Sequence, residues 1–320
     1  MDKNTFKIGL DIGGTAVKAG AVDGTGKILA KGSIETGAQR PYTNIIRDVA
    51  AVAFKVAKDA GIEWDKISGV GVGVPGTVNS TTGEVVYANN LAFRNVPLGS
   101  ELSKLLKKTV KAENDANAAG YGEYLFGAGR KYQSSVFFTL GTGVGGGIIA
   151  DGKIFSGFKS AGAEVGHIVI AHGGAPCTCG RRGCFEAYAS ATGLIRLTGE
   201  TAQKYPQSVL AKLVAERHKA GKDAGGKTAF DAAAAGDRAG CEVLDAYIDY
   251  LSEGIVNVVN VIRPQAVIVG GGVSAQGEAL LAPLRESCYK KVYGGVEYAP
   301  FDVLKAELGN DAGLVGAAFL

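Results

Sequence analysis

A strand, a glycine-containing turn and a second strand occur twice in this sequence, about 130 residues apart. The first copy consists of the apolar run FKIGL, the turn Asp11-Ile12-Gly13-Gly14-Thr15 and the returning run AVKAGAV. The second copy consists of VFFTL, the turn Gly141-Thr142-Gly143 and VGGGII. Two apolar runs joined by such a turn predict a β-hairpin. The repetition indicates an internal duplication, so the chain is expected to fold as two related units.

The segments around the two hairpins predict strands that alternate with helices. This alternation indicates an α/β fold. Ser100 is the expected cap of one helix, and Gly199 and Pro206 are expected to interrupt another. The predicted helices cover 45–60, 96–109, 116–126, 194–220, 241–262 and 311–320, and the predicted strands cover 67–78, 110–114, 266–273 and 301–308. The domain boundary is predicted near residue 115, with residues 1–115 and 309–320 in a smaller domain and 116–308 in a larger one.

The composition argues against several classes of function. A chain of 320 residues with a net charge of +3 and no long basic run is not expected to bind nucleic acid. No apolar segment reaches the ~18 residues that span a bilayer, and the first residues lack a secretory signal. The sequence therefore predicts a cytoplasmic protein with no membrane partner. The 49 glycines are roughly twice the usual share and are clustered, which favours tight loops that approach a ligand.

One histidine and three cysteines have the spacing of a closed Cys3His zinc site: His167, Cys177, Cys179 and Cys184. Thiolates gathered so closely repel one another unless a cation neutralises them, and zinc binding then contributes to folding. No position is left open for a substrate, so the predicted zinc is structural. The alternative is a set of ordinary buried cysteines. Glu164 and Glu186 flank the cluster, and a metal would hold both carboxylates on a rigid loop.

Three motif matches lack the structural context that their function needs. Residues 221–228 fit the P-loop pattern, but the preceding segment is helical and charged rather than a buried strand. The dinucleotide pattern occurs at 71–76 and at 141–146. Neither occurrence opens a helix, so a Rossmann fingerprint is not supported.

The remaining glycine turns fit a nucleotide site when they are taken together. Backbone amides without side chains can approach phosphate oxygens and form an anion cradle. Asp11 could hold Mg2+, directly or through water. Lys18 could contact a phosphate, or it could be a solvated strand residue. The predicted nucleotide-site residues are Asp11, Gly13, Gly14, Thr15, Lys18, Thr142, Gly143, Gly271 and Gly272, the last two beneath an adenine ring.

The chain resembles the ROK sugar kinases, and within them the bacterial glucokinase type. The segments that carry the resemblance are LDIGGTAVKAG at 10–20, GVPGTV at 73–78, ENDANAA at 113–119, LGTGVGGGII at 140–149, AGAEVGHIVI at 161–170, CTCGRRGCFEAYAS at 177–190 and IVGGGV at 268–273. The resemblance covers nearly the whole chain. It implies a two-domain fold of the actin and hexokinase superfamily, ribonuclease H-like, with ATP and sugar meeting in an interdomain cleft.

The resemblance also assigns roles to individual residues. It makes Asp115 the general base that takes a proton from a sugar hydroxyl as the oxygen attacks the γ-phosphate of Mg-ATP. The alternative for Asp115 is a helix cap, and for Glu164 and Glu186 it is a solvated carboxylate. Residues outside the motifs have other expected places: His172 and His218 on the surface, Cys241 and Cys288 in the core. The implied sugar-binding residues are Gly76, Asn90, Asn114, Asp115, Glu164, His167 and Glu186.

The implied reaction is ATP-dependent phosphorylation of a hexose at its 6-hydroxyl, with glucose the favoured substrate. The alternatives within the family are N-acetylmannosamine, N-acetylglucosamine, fructose and allose, and polyphosphate is an alternative donor. A DNA-binding repressor is disfavoured, since only ten residues precede the first glycine turn. A sugar sensor without catalysis is disfavoured by Asp11 and Asp115. The resemblance further implies a homodimer or homotetramer.

Overall fold

The computed structural model describes residues 2–320 of the chain, which form a mixed α/β structure. The strands are β1 Phe6–Ile12, β2 Ala16–Asp23, β3 Ile28–Glu35, β4 Ile67–Val74, β5 Thr77–Asn79, β6 Glu84–Ala88, β7 Phe93–Val96, β8 Val110–Asn114, β9 Ser135–Leu140, β10 Val144–Ala150, β11 Lys153–Ile154, β12 Ala266–Gly270 and β13 Asp302–Lys305. The helices are α1 Tyr42–Asp59, α2 Leu98–Leu106, α3 Asp115–Phe126, α4 Glu186–Ala189, α5 Ala191–Lys204, α6 Val209–Lys219, α7 Thr228–Ala234, α8 Arg238–Ile262, α9 Glu278–Lys291 and α10 Ala312–Ala318.

Two compact units share the chain. The first contains the residues up to Phe137, together with Gly147–Ala163 and Ala306–Leu320, and the second contains Phe138–Gly146 and Glu164–Lys305. This division differs from the predicted boundary near residue 115. The difference arises because α3 packs against α10 and β4, and so lies in the first unit.

The strands form three sheets. The first sheet has the order β3-β2-β1-β4-β8, the second has the order β11-β10-β9-β12-β13, and the third has the order β5-β6-β7. In the first sheet β1 pairs antiparallel with β2 and parallel with β4, and β4 pairs parallel with β8. In the second sheet β12 and β13 are parallel, and β10 and β11 are antiparallel. Both predicted hairpins are confirmed, because each glycine turn joins two strands.

Helix α10 lies very close to the first sheet. A Cβ atom on Gly9 of β1 would sit 1.9 Å from the carbonyl oxygen of Leu314, and one on Gly71 of β4 would sit 1.8 Å from that of Ala317. No side chain fits at these distances, so glycine is required where the helix backbone meets the strands. Part of the high glycine content therefore serves packing rather than ligand binding.

Most predicted elements are confirmed, and three details are wrong. The cap of α2 is Pro97, and the Ser100 hydroxyl donates to the Pro97 carbonyl oxygen. Gly199 lies inside α5, so only the region around Pro206 interrupts the predicted helix. Cys241 is exposed near the start of α8, whereas Cys288 is buried as predicted.

The rejection of the P-loop match is confirmed, because residues 221–227 connect α6 to α7 and follow a helix rather than a strand. His172 and His218 are exposed, as predicted. Among residues 2–320, no helix combines the length and the apolar character needed to cross a membrane.

Candidate active site and metal cluster

The first glycine turn presents a largely buried carboxylate at the end of β1. Asp11 lies opposite Lys18 on β2, with its Oδ2 atom 3.7 Å from the Lys18 Nζ atom. Its carboxylate also faces the start of α10, 3.6 Å from where a Cβ on Gly313 would stand. Burial raises the pKa of Asp11, and Lys18 partly offsets the increase. A carboxylate that is costly to bury and has one cationic neighbour suits a site that receives a further cation.

Thr36 holds the carbonyl groups of this turn. Its hydroxyl donates to the Gly13 carbonyl oxygen at 2.7 Å, and its amide donates to the Thr15 carbonyl oxygen at 2.9 Å. A Cβ on Gly14 would lie 3.2 Å from the Asn90 carbonyl oxygen, so the turn packs against the backbone of Asn90. These contacts fix the turn before any ligand binds.

Strand β8 passes directly into α3, and the junction carries Asn114 and Asp115. Asn114 is the residue that caps the helix: its Oδ1 atom accepts from the amides of Ala116 at 2.9 Å and Asn117 at 3.1 Å. Its Nδ2 atom donates to the Gly76 carbonyl oxygen at 3.0 Å. The alternative role of Asp115 as the cap is therefore wrong, since Asp115 is the first residue of the helix.

The position of Asp115 suits a proton acceptor. Its Oδ1 atom accepts from the Ala116 amide at 2.8 Å, and the half-buried carboxylate lies at the amino end of a helix of 12 residues. The partial positive charge of a helix amino end stabilises an ionised carboxylate. The junction between β8 and α3 thus carries the Asp115 carboxylate on a turn that Asn114 fixes, through its bonds to the first amides of α3 and to the Gly76 carbonyl oxygen.

The second glycine turn is bound to the start of α5. The Ala191 amide donates to the Gly141 carbonyl oxygen, and the Thr192 hydroxyl donates to the Thr142 carbonyl oxygen, both at 2.8 Å. The Ser190 hydroxyl caps α5 by accepting from the Gly193 amide at 3.0 Å. The carbonyl groups of the turn are therefore held by α5, which orients the peptide units of the loop.

Glu186 connects the second glycine turn to the loop that carries Cys177 and Thr178. Its Oε2 atom accepts from the Val144 amide at 3.1 Å, and its Oε1 atom lies 3.7 Å from the Cys177 Sγ atom and 3.3 Å from the Thr178 hydroxyl. A Cβ on Gly143 would stand 2.3 Å from Oε2. A side chain at position 143 would therefore displace the Glu186 carboxylate from its present position.

The four predicted metal ligands come together. Their ligand atoms all lie within 4.8 Å of one another: His167, Cys177, Cys179 and Cys184. The Cys177 Sγ atom is 3.7 Å from the His167 Nδ1 atom, and the Sγ atoms of Cys179 and Cys184 are 3.6 Å apart. Ligands about 2.3 Å from a tetrahedral zinc ion are roughly 3.7 Å apart. The donor set and its spacing therefore fit Zn2+.

The remaining predicted site residues lie on two other loops: Glu164 precedes His167, and Gly271 and Gly272 follow β12. Glu164 is exposed, and its carbonyl oxygen accepts from the His167 amide at 3.1 Å. A Cβ on Gly271 would stand 2.5 Å from the Leu140 backbone, so the loop after β12 packs closely on β9. Gly272 has open space where a Cβ would stand.

Several residues that shape the site were not identified from the sequence. Thr36 and Thr192 bind carbonyl groups of the two glycine turns, and Glu113 accepts from the Asn114 amide at 2.8 Å. Single threonines such as Thr36, in a loop, and Thr192, at the start of α5, carry no distinctive sequence pattern. The sequence signal for Glu113 is its place at the end of β8, as an acidic residue directly before Asn114 and Asp115.

Comparison with known proteins places the whole chain in one group. Residues 7–320 match the model of the ROK family. The chain is similar to the glucokinase of Thermotoga maritima, with 39% identity over 312 residues that cover 97% of this chain and 95% of that protein. It is also similar to the glucokinase of Halalkalibacterium halodurans, with 37% identity over 318 residues that cover 98% and 94%.

A solved structure supports the same grouping. The crystal structure of a ROK family glucokinase from Streptomyces griseus, in complex with glucose and AMPPNP, has a TM-score of 0.81 and 36% identity to this chain, and each chain is covered over 98% of its length. The predicted α/β fold of the actin and hexokinase type is thereby confirmed.

Proposed function

The chain belongs to the ROK family, and on this basis we propose that it is a sugar kinase that transfers a phosphoryl group from ATP to the 6-hydroxyl of glucose. The observation that carries the proposal is Asp115, which stands as the first residue of α3 on a turn fixed by Asn114. The full-length similarity to glucokinases, one of them in complex with glucose and an ATP analogue, supports both the sugar and the donor.

In the proposed reaction Asp115 acts as the general base. The 6-hydroxyl oxygen of the hexose attacks the γ-phosphorus of ATP, its proton passes to the Asp115 carboxylate, and the bond to the β-phosphate oxygen breaks to release ADP. A positioned base contributes about 10²–10⁴-fold to the rate. Alignment of the reacting oxygen with the γ-phosphate and stabilisation of charge contribute the rest.

The hexose is bound by polar side chains that flank the reacting group. We assign hydroxyl contacts to Glu164, to His167 through its Nε2 atom and to Glu186. Asn114 retains limited capacity for the sugar, because its Oδ1 atom caps α3 and its Nδ2 atom already donates one bond. The remaining sugar-site residues in the proposal are Gly76 and Asn90.

The glycine turns hold the nucleotide in this account. Gly13, Gly14 and Thr15 would contact phosphate oxygens from one turn, and Thr142 and Gly143 from the other. Lys18 neutralises phosphate charge, and Gly271 and Gly272 accommodate the adenine ring. Asp11 would hold Mg2+, which supplies positive charge to the transferring phosphates when it is bound.

The metal cluster has a structural role in the proposal. His167, Cys177, Cys179 and Cys184 would hold one Zn2+ ion with no open position, and this coordination would fix the loop that carries Glu186. His167 would hold the metal through Nδ1, since that atom faces Cys177.

A panel of sugars tests the proposal. ADP release is coupled to a fluorescent or absorbance readout with Mg-ATP and glucose, fructose, allose, N-acetylglucosamine, N-acetylmannosamine and 6-deoxyglucose. Glucose should give the highest kcat/KM, and 6-deoxyglucose should inhibit without reacting because it lacks the attacking oxygen. A higher kcat/KM for an acetamido sugar identifies the runner-up function, and no turnover with any hexose contradicts the kinase assignment. Polyphosphate in place of ATP tests the donor.

Assembly and location remain predictions. A homodimer or homotetramer is proposed from the resemblance, and light scattering coupled to size-exclusion chromatography measures it. Residence in the cytoplasm is likewise proposed.

A further inference from the structure

Glu113 is a buried carboxylate directly before the proposed catalytic turn, and no described residue forms an ion pair with it. It is 4% exposed, and burial raises its pKa. Its Oε1 atom accepts from the Asn114 amide at 2.8 Å and from the Asn117 Nδ2 atom at 3.0 Å. Burying a carboxylate costs several kcal/mol unless hydrogen bonds compensate. A buried carboxylate beside Asn114 and Asp115 therefore calls for a role that an apolar residue could not fill.

Asn117 depends on this carboxylate. Its side chain is buried at 3% exposure, and its Oδ1 atom has no hydrogen-bond partner among the described residues. The bond to Glu113 is therefore the contact that fixes the orientation of the Asn117 side chain. Without Glu113, the Asn117 Nδ2 atom and the backbone amide of Asn114 would both lose this acceptor.

The first turn of α3 contacts Glu113 on one side and packs against β10 on another. A Cβ on Gly147 would stand 2.8 Å from the Ala116 carbonyl oxygen and 3.2 Å from the Asn117 Cα atom, so the helix backbone lies against β10. Glu113 and β10 thus hold the same turn from different directions. A turn confined in this way has one position, and Asp115 lies within it.

We propose that Glu113 is a positioning residue for Asp115, acting through the Asn114 amide and the Asn117 side chain. The proposal rests on the proposed kinase function. Glu113 does not touch the reacting atoms in this account. It fixes the angle at which the end of β8 enters α3, and hence the direction of the Asp115 carboxylate.

Two substitutions at position 113 separate the hydrogen bonds from the charge. Glu113→Gln keeps an acceptor for both donors, and its kcat should stay within about threefold of wild type, the effect expected for one weakened bond. Glu113→Met keeps the length and removes the acceptor. Its kcat should fall by about 10-fold to 100-fold, the scale of a misplacement of about 1 Å. The glucose Kd, measured by titration calorimetry without ATP, should change far less.

Glu123, a buried carboxylate within α3 itself, provides a matched control. It is fully buried and accepts backbone amides from Ala128, Glu307 and Leu308, but it lies away from the turn. Glu123→Met should lower the melting temperature while kcat stays within about threefold of wild type. Equal losses of kcat in the two Met variants would overturn the positioning role, because destabilisation alone would then explain both.

Asn117→Ala carries the test if Glu113→Met fails to fold. It removes one of the two donors, so kcat should fall by about 3-fold to 10-fold. An unchanged kcat in either folded variant, or a Glu113→Gln enzyme as slow as Glu113→Met, overturns the proposal. A wild-type protein inactive on every hexose overturns the proposed function instead.

Discussion

The five cysteines occupy three different environments. Cys241 is exposed, Cys288 is buried with its pKa raised by burial to about 12, and the other three belong to the candidate metal site with His167. A thiol reacts only as a thiolate that reagents can reach. The reactivity of each cysteine therefore reports its surroundings.

We predict that the metal-bound protein exposes a single reactive thiol, Cys241, to an aromatic disulfide reagent. After chelation, Cys177 and Cys179 should react as well, while Cys288 stays protected. The released thiolate is followed by absorbance, and the zinc content is measured before and after chelation. Cys241→Ser is the control and should abolish the reaction of the metal-bound form. Full reactivity of the cluster in metal-bound protein would contradict the proposed zinc site.

At the level of elements, α5 supports the second glycine turn and so belongs to the proposed nucleotide site. The Thr192 hydroxyl and the Ala191 amide hold two carbonyl groups of the turn. We predict that Thr192→Val raises the KM for ATP by about 2-fold to 10-fold, the scale of one lost hydrogen bond, with the glucose Kd unchanged. Steady-state kinetics with varied ATP measures the effect.

Thr198 supplies the matched control for this prediction. It lies in the same helix, and its hydroxyl donates to the Leu194 carbonyl oxygen within the helix. Thr198→Val should leave the KM for ATP unchanged, and Thr192→Ser should restore it. An unchanged KM in Thr192→Val would show that α5 does not shape the loop.

The sequence predicted elements better than it predicted contacts between distant segments. Helix α1 and helix α8 follow directly from their apolar periodicity. The bond from the Val144 amide to Glu186 joins residues 42 positions apart, and no local pattern encodes it. Ser100 had the residue type of a cap but bonds to Pro97 instead. The four candidate metal ligands could be identified because zinc geometry imposes a spacing that the sequence itself displays.

At the scale of the whole molecule, buried carboxylates link stability to pH. Burial raises the folded pKa of Glu113 and of Asp11, so each group binds its proton more tightly in the folded state than in the unfolded state. The stability that each carboxyl group contributes is present below its pKa in the unfolded state. It is lost as the pH rises through its pKa in the folded state. The stability contribution of Asp23 depends on pH in the opposite direction, because hydrogen bonds lower its pKa.

We predict that Glu113→Gln removes the contribution of this carboxyl group to the pH dependence of stability. The stability of the variant relative to wild type should improve as the pH is raised from about 4.5 to 8, because glutamine carries no charge to bury. Urea unfolding at several pH values measures the difference in free energy of unfolding. A difference independent of pH would contradict the raised pKa of Glu113.

Asp115 is proposed to take the proton from the hexose hydroxyl. The most direct test compares wild type with Asp115→Asn, measuring the glucose Kd by calorimetry and the rate of glucose 6-phosphate formation by a coupled dehydrogenase assay. Asparagine keeps the shape but cannot accept the proton, so the rate should fall by about 10²–10⁴-fold while the Kd stays close to wild type. Product formation at the wild-type rate in Asp115→Asn would contradict the claim.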